Sequence, residues 1–169
     1  MEILFTAQQI AERVAVMGRE IGDFYQAKPL TLLVIANGAI FFGADLARAI
    51  RIPLWIDVLP AGSYAGRRST GKLRLRGEPK LSAEGRHLLL VDEILDTGVT
   101  LRALTEHFLD SGALSVRSAV MLTKKCPRPD GISRADWSGF EVPDRYIVGY
   151  GMDSVEEFRN LPDIGVLES

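Results

Sequence analysis

Cysteine is nearly missing from this chain of 169 residues. Cys126 stands alone, so no internal disulfide can form, and a reducing, cytoplasmic setting is expected. Histidine is almost as scarce. His87 and His107, with one cysteine, leave no His/Cys cluster for zinc and little material for a Ser-His-Asp triad. His87 opens an apolar stretch and His107 falls in a helical one, so both read as structural or surface residues. Any metal should then be a hard ion held by carboxylates and phosphate oxygens. No apolar run reaches the roughly 18 residues of a membrane span. The start, MEILFTAQQIAERVAVMGRE, is charged and amphipathic rather than leader-like. An excess of one charge is lacking too: the net charge of −2 asks for neither nucleic acid nor an anionic membrane. With no Walker A loop and no G-x-G-x-x-G, a nucleotide triphosphatase is disfavoured.

What is present is an alternation. Thr6 followed by Gln9 forms a capping box, and Ile10, Val14, Met17, Ile21 and Phe24 recur at helical spacing. The pattern predicts a helix over residues 7–27, ended by Lys28-Pro29. TLLVIA (31–36) reads as a buried strand, Asn37-Gly38 as a turn, and AIFFGADLARAI (39–50) as a helix. Residues 52–59, 87–91 and 116–122 read as further strands and 99–109 as a helix. Strands and helices alternating at these lengths predict an α/β fold: a mostly parallel sheet flanked by helices, in a single domain over 1–169. Two stretches break the rhythm. Residues 60–80 carry four glycines with Arg67, Arg68, Lys72, Arg74 and Arg76, and residues 124–144 carry Pro127, Pro129 and Pro143. Both are expected as long excursions from the sheet, of the kind used as lids or binding loops.

The most informative run is HLLLVDEILDTGVTL (87–101). Four apolar residues lead a buried strand into Asp92-Glu93, and the chain then passes Asp96-Thr97-Gly98-Val99-Thr100 into a helix. In open parallel sheets, ligands collect beyond the carboxyl ends of strands. Thr97 and Thr100 offer hydroxyls, Gly98 admits close approach, and the helix start offers free N–H groups; together they would cradle a phosphate. Asp92 and Glu93 would repel phosphate but suit ribose hydroxyls or an intervening Mg²⁺. A plainer reading has the acidic pair capping the helix and Thr-Gly making a turn. Three carboxylates crowded at one strand end weigh against it, because they cost stability unless a ligand or cation compensates.

VDEILDTGVTL closely resembles the phosphoribosyl-pyrophosphate signature of type I phosphoribosyltransferases. Asp96 immediately before Thr-Gly resembles the hypoxanthine-guanine branch, where adenine and orotate enzymes usually have a small residue. The resemblance continues through LLVIANGAIFFGADLARAI (32–50), GSYAGRRSTGKLRL (62–75) and GFEVPDRYIVGYGMDSVEEFRNLPDIGVL (139–167). It implies that fold, with a small hood formed by the terminal segments.

It also implies roles. Asp92 and Glu93 would hold the ribose hydroxyls, Asp96 would face N7 of a purine as general acid/base, and Thr97, Gly98, Val99 and Thr100 would bind the 5′-phosphate. Asn37, Gly38 and Arg159 would meet pyrophosphate. Tyr146 would stack on the base, with Ile147 and Asp153 at its edge. Mg²⁺ is the implied cofactor, with Asp153, Asp92 and Glu93 as its carboxylates, partly through water or ribose hydroxyls. Ser63 and Tyr64 would sit on a closing lid. The lysine to the 6-oxo group falls in MLTKKCPR (121–128), with Lys124 expected and Lys125 the alternative. Asn37 departs from the lysine often found before glycine in this loop, where the family commonly has a cis peptide. The partners implied are a 6-oxopurine, phosphoribosyl pyrophosphate and a second copy of the chain, as homodimer or homotetramer; neither membrane nor nucleic acid is expected. Two rival readings are a xanthine-preferring enzyme and, from the arginine-rich stretch, an RNA-binding regulator on the same fold.

Overall fold

A computed structural model describes residues 1–60, 64–67, 73–75, 77 and 79–167, with 64–67 and 73–75 as backbone. The elements are β1 (Glu2–Phe5), α1 (Ala7–Phe24), β2 (Leu30–Ile35), α2 (Ile40–Ala49), β3 (Trp55–Leu59), β4 (Tyr64–Arg67), β5 (Leu73–Leu75), β6 (His87–Leu95), α3 (Val99–Asp110), β7 (Ser115–Lys124), β8 (Trp137–Val142), β9 (Ile147–Val148) and β10 (Ile164–Val166). Five of them form one parallel sheet in the order β3-β2-β6-β7-β8.

The central strands carry unbroken buried apolar runs, Leu32–Ile35 in β2 and Leu88–Val91 in β6, because both faces are covered there. In β2 and β6, Leu32, Leu89 and Val91 join Ile10, Val14, Met17, Phe42 and Leu46 on the α1/α2 face. Leu33, Leu88 and Leu90 join Leu101, Leu104 and Phe108 of α3 on the other. Successive side chains thus alternate between two cores. The chain termini meet in a small antiparallel sheet, β1-β10-β9, which is the expected hood. No helix among the described residues is long and apolar enough to cross a membrane.

The capping box at Thr6 is formed, with Gln9 closing it. The helix stops at Phe24 instead of reaching residue 27, because Tyr25 turns fully into the core and Ala27 adopts a φ of 58°. β3 begins at Trp55, three residues later than expected. The strand expected over 87–91 runs on to Leu95, since its pairing with β7 continues to Leu95↔Thr123. Asp92 and Glu93 therefore stand on the strand itself. The excursion expected over 124–144 is corrected in part: β8 lies inside it and pairs parallel with β7 from Ala119↔Trp137 to Lys124↔Val142. In the other excursion, β4 and β5 pair antiparallel; Arg68, Lys72 and Arg76 lie outside the described residues.

Candidate functional site

β2 and β6 pair only as far as Val34↔Val91. Beyond that point β2 parts from β6, keeps β3 only through Ile35↔Leu59 and the Ala36 N–H bond to Leu59, and runs on through Asn37 and Gly38 with a cis peptide between Ala36 and Asn37, while β6 stays bonded to β7. One side of β6 is thereby opened at its carboxyl end. Glu93 fills the gap toward the departing loop so closely that a Cβ on Gly38 would collide with its carboxylate. Asp92 and Glu93 crowd each other, and Asp92 Oδ1 accepts the Glu93 N–H at 3.0 Å. Burial, and next the negative charge of Glu93, push the Asp92 carboxyl well above the usual carboxylate range.

Two hollows meet at the end of this strand. One, with an empty volume of about 500 Å³, is bordered by Glu93, Asp96, Lys124, Tyr146, Ile147 and Asp153. The other, of about 290 Å³, is bordered by Asp92, Asp96, Thr97, Gly98 and Thr100. Asp96 and Ile94 belong to both. The helix start beside the second hollow has no side-chain cap at Gly98, so no N-cap side chain competes with an anion for its first N–H groups. Val99 lines neither hollow and exposes its side chain. Gly98 has a φ of 74°, and a Cβ there would lie 2.6 Å from the Ile132 carbonyl. Its glycine is thus required by the packed 131–132 loop.

Lys124 closes β7, and its ammonium lies 3.2 Å from Asp96 Oδ2 and 3.1 Å from Asp144 Oδ1. Burial opposes its charge, but the hydrogen bonds to Asp144 and Asp96 outweigh burial and hold it above the ordinary lysine value. Lys125 points to the other side, 3.4 Å from Glu141, with both side chains exposed. Lys125 lies just past the end of β7, in the bend that leads away from the hollow.

Asp153 and Arg159 face each other at 3.0 Å, and Arg159 also reaches Glu156 at 3.2 Å and donates to the Gly151 carbonyl at 2.7 Å. Arg159 and Asn37 border neither hollow. Gly151, at φ 102°, packs so tightly on the Gly38 carbonyl that a Cβ would collide with it. The segment carrying Asp153 is thereby pressed against the loop carrying Asn37. Tyr146 is well exposed beside the larger hollow, while Ile147 is buried in β9. Ser63 lies outside the described residues, and Tyr64 opens β4 as backbone.

Three residues at this site escaped sequence reasoning. Arg145 borders the larger hollow and pairs with Glu2 at 3.1 Å. Asp144 holds Lys124. Arg128 donates to the carbonyls of Asp96 at 2.6 Å, Cys126 at 3.2 Å and Leu95 at 3.2 Å, and also to that of Lys124. All three lie in segments matched to the family, but no residue type or spacing marked them.

Comparison with known proteins agrees with this geometry. Residues 2–154 match the phosphoribosyl transferase domain. A hypoxanthine-guanine phosphoribosyltransferase of Bacillus subtilis is 36% identical over 99% of this chain and 93% of its own length. A hypoxanthine-guanine-xanthine phosphoribosyltransferase of Tritrichomonas foetus is 33% identical over 98% of this chain and 91% of its own. The crystal structure of a hypoxanthine phosphoribosyltransferase from Staphylococcus aureus superposes with a TM-score of 0.90 at 34% identity, covering 99% of this chain and 91% of that one. A parallel sheet opened at the end of β6, an acidic pair on that strand, a bare helix start and near full-length likeness lead to one assignment: the chain belongs to the phosphoribosyltransferase family, in its hypoxanthine-guanine branch.

Proposed function

We propose that this transferase joins hypoxanthine or guanine to the ribose of phosphoribosyl pyrophosphate, in the presence of Mg²⁺, giving the nucleoside 5′-monophosphate and pyrophosphate. The observation that carries the reading is Asp96, shared by a hollow of base-binding character and one of phosphate-binding character. A group placed there can reach both the incoming base and the sugar.

In this reading, Thr97, Gly98, Val99 and Thr100 receive the 5′-phosphate with hydroxyls and helix-start N–H groups. Asp92 and Glu93 hold the ribose hydroxyls. Tyr146 stacks on the purine, Ile147 offers backbone groups to its edge, and Lys124 donates to its 6-oxo oxygen. A protonated lysine repels the amino group of adenine, so 6-oxopurines are selected. The C1′–O bond to pyrophosphate breaks with its electron pair on pyrophosphate, and a purine ring nitrogen bonds to C1′. Asp96 exchanges the proton at N7. The backbone of Asn37 and Gly38, with Arg159, receives pyrophosphate; Arg159 must first loosen from Glu156. A lid bearing Ser63 and Tyr64 would keep water from the donor.

The donor set suits Mg²⁺. Asp92, Glu93 and Asp153 present hard oxygens, and the mutual crowding of Asp92 and Glu93 is what a cation relieves. Among the described residues no three acidic, histidine or cysteine side chains converge into a closed cage. The ion would therefore keep waters and donor oxygens, as Mg²⁺ commonly does. When bound, it draws charge from the pyrophosphate and makes it a better leaving group. The same reading places the protein in the cytoplasm and, as a dimer or tetramer, uses exposed Ile40 and Phe41 at the start of α2; Phe42 beside them is buried in the core.

The test is to incubate the purified protein with phosphoribosyl pyrophosphate and Mg²⁺, adding hypoxanthine, guanine, xanthine or adenine separately and following nucleotide by chromatography. Turnover of hypoxanthine or guanine that stops on chelation, with adenine inert, is expected. Preference for xanthine would replace the base assignment. Absence of turnover with folded protein would overturn the reading, and salt-dependent RNA retention would then be measured.

A further inference from the structure

We infer that Asp144 is a positioning residue for recognition of the 6-oxo group: its ion pair with Lys124 holds the ammonium in the base hollow and spares Asp96 from being its sole partner. The inference rests on the function proposed above and deepens it. Lys124 receives two carboxylates from two different places, Asp96 from the turn after β6 and Asp144 from the turn between β8 and β9. An ammonium has three N–H donors. Two are engaged here, which leaves a third for a carbonyl acceptor in the hollow.

The arrangement resolves a conflict. A lysine paired with Asp96 alone would draw that carboxylate's lone pairs toward itself and away from a purine proton. A second carboxylate divides the lysine's demand, so that Asp96 can turn to the base while Lys124 keeps an anionic partner. Asp144 also stands two residues before Tyr146, so the same ion pair ties the ammonium to the stacking segment. The other charges around Lys124 do not substitute. Glu93, Arg145 and Asp153 border the hollow with no ion pair to it, Lys125 is paired outward with Glu141, and Arg128 is engaged by backbone carbonyls. An ion pair this exposed at its acidic end would ordinarily add little to stability, and its consequence is expected in substrate recognition instead.

The experiment is a double-mutant cycle on the full chain with Asp144→Asn, Lys124→Gln and both together, read as KM for hypoxanthine, KM for phosphoribosyl pyrophosphate and kcat. Asp144→Asn should raise the hypoxanthine KM roughly three- to tenfold, the scale of one charge-assisted hydrogen bond in part-exposed surroundings. KM for the phosphoribosyl donor should stay within about twofold, and Asp144→Glu should restore most of the loss. In the Lys124→Gln background, Asp144→Asn should add less than about twofold, because its effect passes through the lysine. An equal loss in both backgrounds, an equal rise in the donor KM, or no change in hypoxanthine KM would overturn the inference. Failure of the unmutated protein to use any 6-oxopurine would overturn the proposed function instead, so the two failures are distinguishable.

Discussion

Gly151 rests against the carbonyl oxygen of Gly38, and no room remains between them for a side chain. The contact joins the base side of the site to the loop proposed for pyrophosphate. Gly151 also has a φ of 102°, a region that residues with a Cβ rarely enter. Gly151→Ala should therefore displace the Gly38 loop and raise the KM for phosphoribosyl pyrophosphate by about tenfold or more, with a stability loss of about 1–3 kcal/mol. Steady-state kinetics and a urea melt read both quantities. An unchanged donor KM would mean that the loop does not depend on this contact.

Asp96 carries the proton step in the proposed mechanism. Asp96→Asn keeps the shape and the partner lysine but removes the base, and kcat for hypoxanthine should fall roughly 10²- to 10⁴-fold, the usual worth of a placed acid/base. The melting temperature should change little, because the side chain is exposed beside the hollow. Full turnover in the variant would remove the proton role from this residue.

Tyr25 tests the core. It is fully buried, and its hydroxyl has no hydrogen-bond partner among the described residues. Burial, partly offset by Arg117, pushes its pKa from 10.0 up to about 12. A tyrosine whose folded value is raised contributes stability that is whole below pH 10.0 and is lost as pH climbs toward about 12. The loss should be on the order of 2 kcal/mol. Tyr25→Phe should abolish that part of the alkaline loss and be neutral or slightly stabilising at pH 7, since it deletes an unpaired buried hydroxyl. Urea midpoints measured across the alkaline range decide it; parallel pH curves for the two proteins would refute the expected link.

Much of the fold was legible because each element carries its own signal. The apolar residues of α1 recur at helical period, Thr6 and Gln9 announce its start, and the unbroken apolar runs of β2 and β6 announce burial on both faces. What was hidden depends on distant partners. The apolar pattern of β6 stops at Val91, yet the strand continues to Leu95, since backbone pairing with β7 needs no apolar side chain. WSGFEV reads as loop because it lies among prolines and contains a glycine, and only its parallel pairing with the preceding strand β7 makes it a strand. At the site, the acidic pair and the Asp-Thr-Gly turn lie within one short stretch and were visible. That Lys124 borders the hollow while Lys125 pairs outward with Glu141 shows only in the folded chain, and Asp144 and Arg128 acquire meaning only where strand ends meet.

Arg128 shows what such a meeting requires. Its guanidinium donates to carbonyls at the ends of both β6 and β7, Leu95 and Asp96 on one side and Lys124 and Cys126 on the other. It thus fixes the spacing of the two strand ends that carry Asp96 and Lys124. A lysine offers the same charge but three donors around one point, and it cannot span four carbonyls as a planar fork does. Arg128→Lys should leave some of these oxygens without a donor, lowering stability by about 1–3 kcal/mol. Because the spacing between the proposed proton carrier Asp96 and the proposed 6-oxo donor Lys124 would relax, kcat should fall by about tenfold or more, given how steeply rates respond to misplacement on the scale of 1 Å. The informative measurement is kcat well below the variant's melting transition. A stability loss with kcat unchanged would make Arg128 a brace for the strand ends alone, whereas both losses together would tie the geometry of the active groups to this one guanidinium.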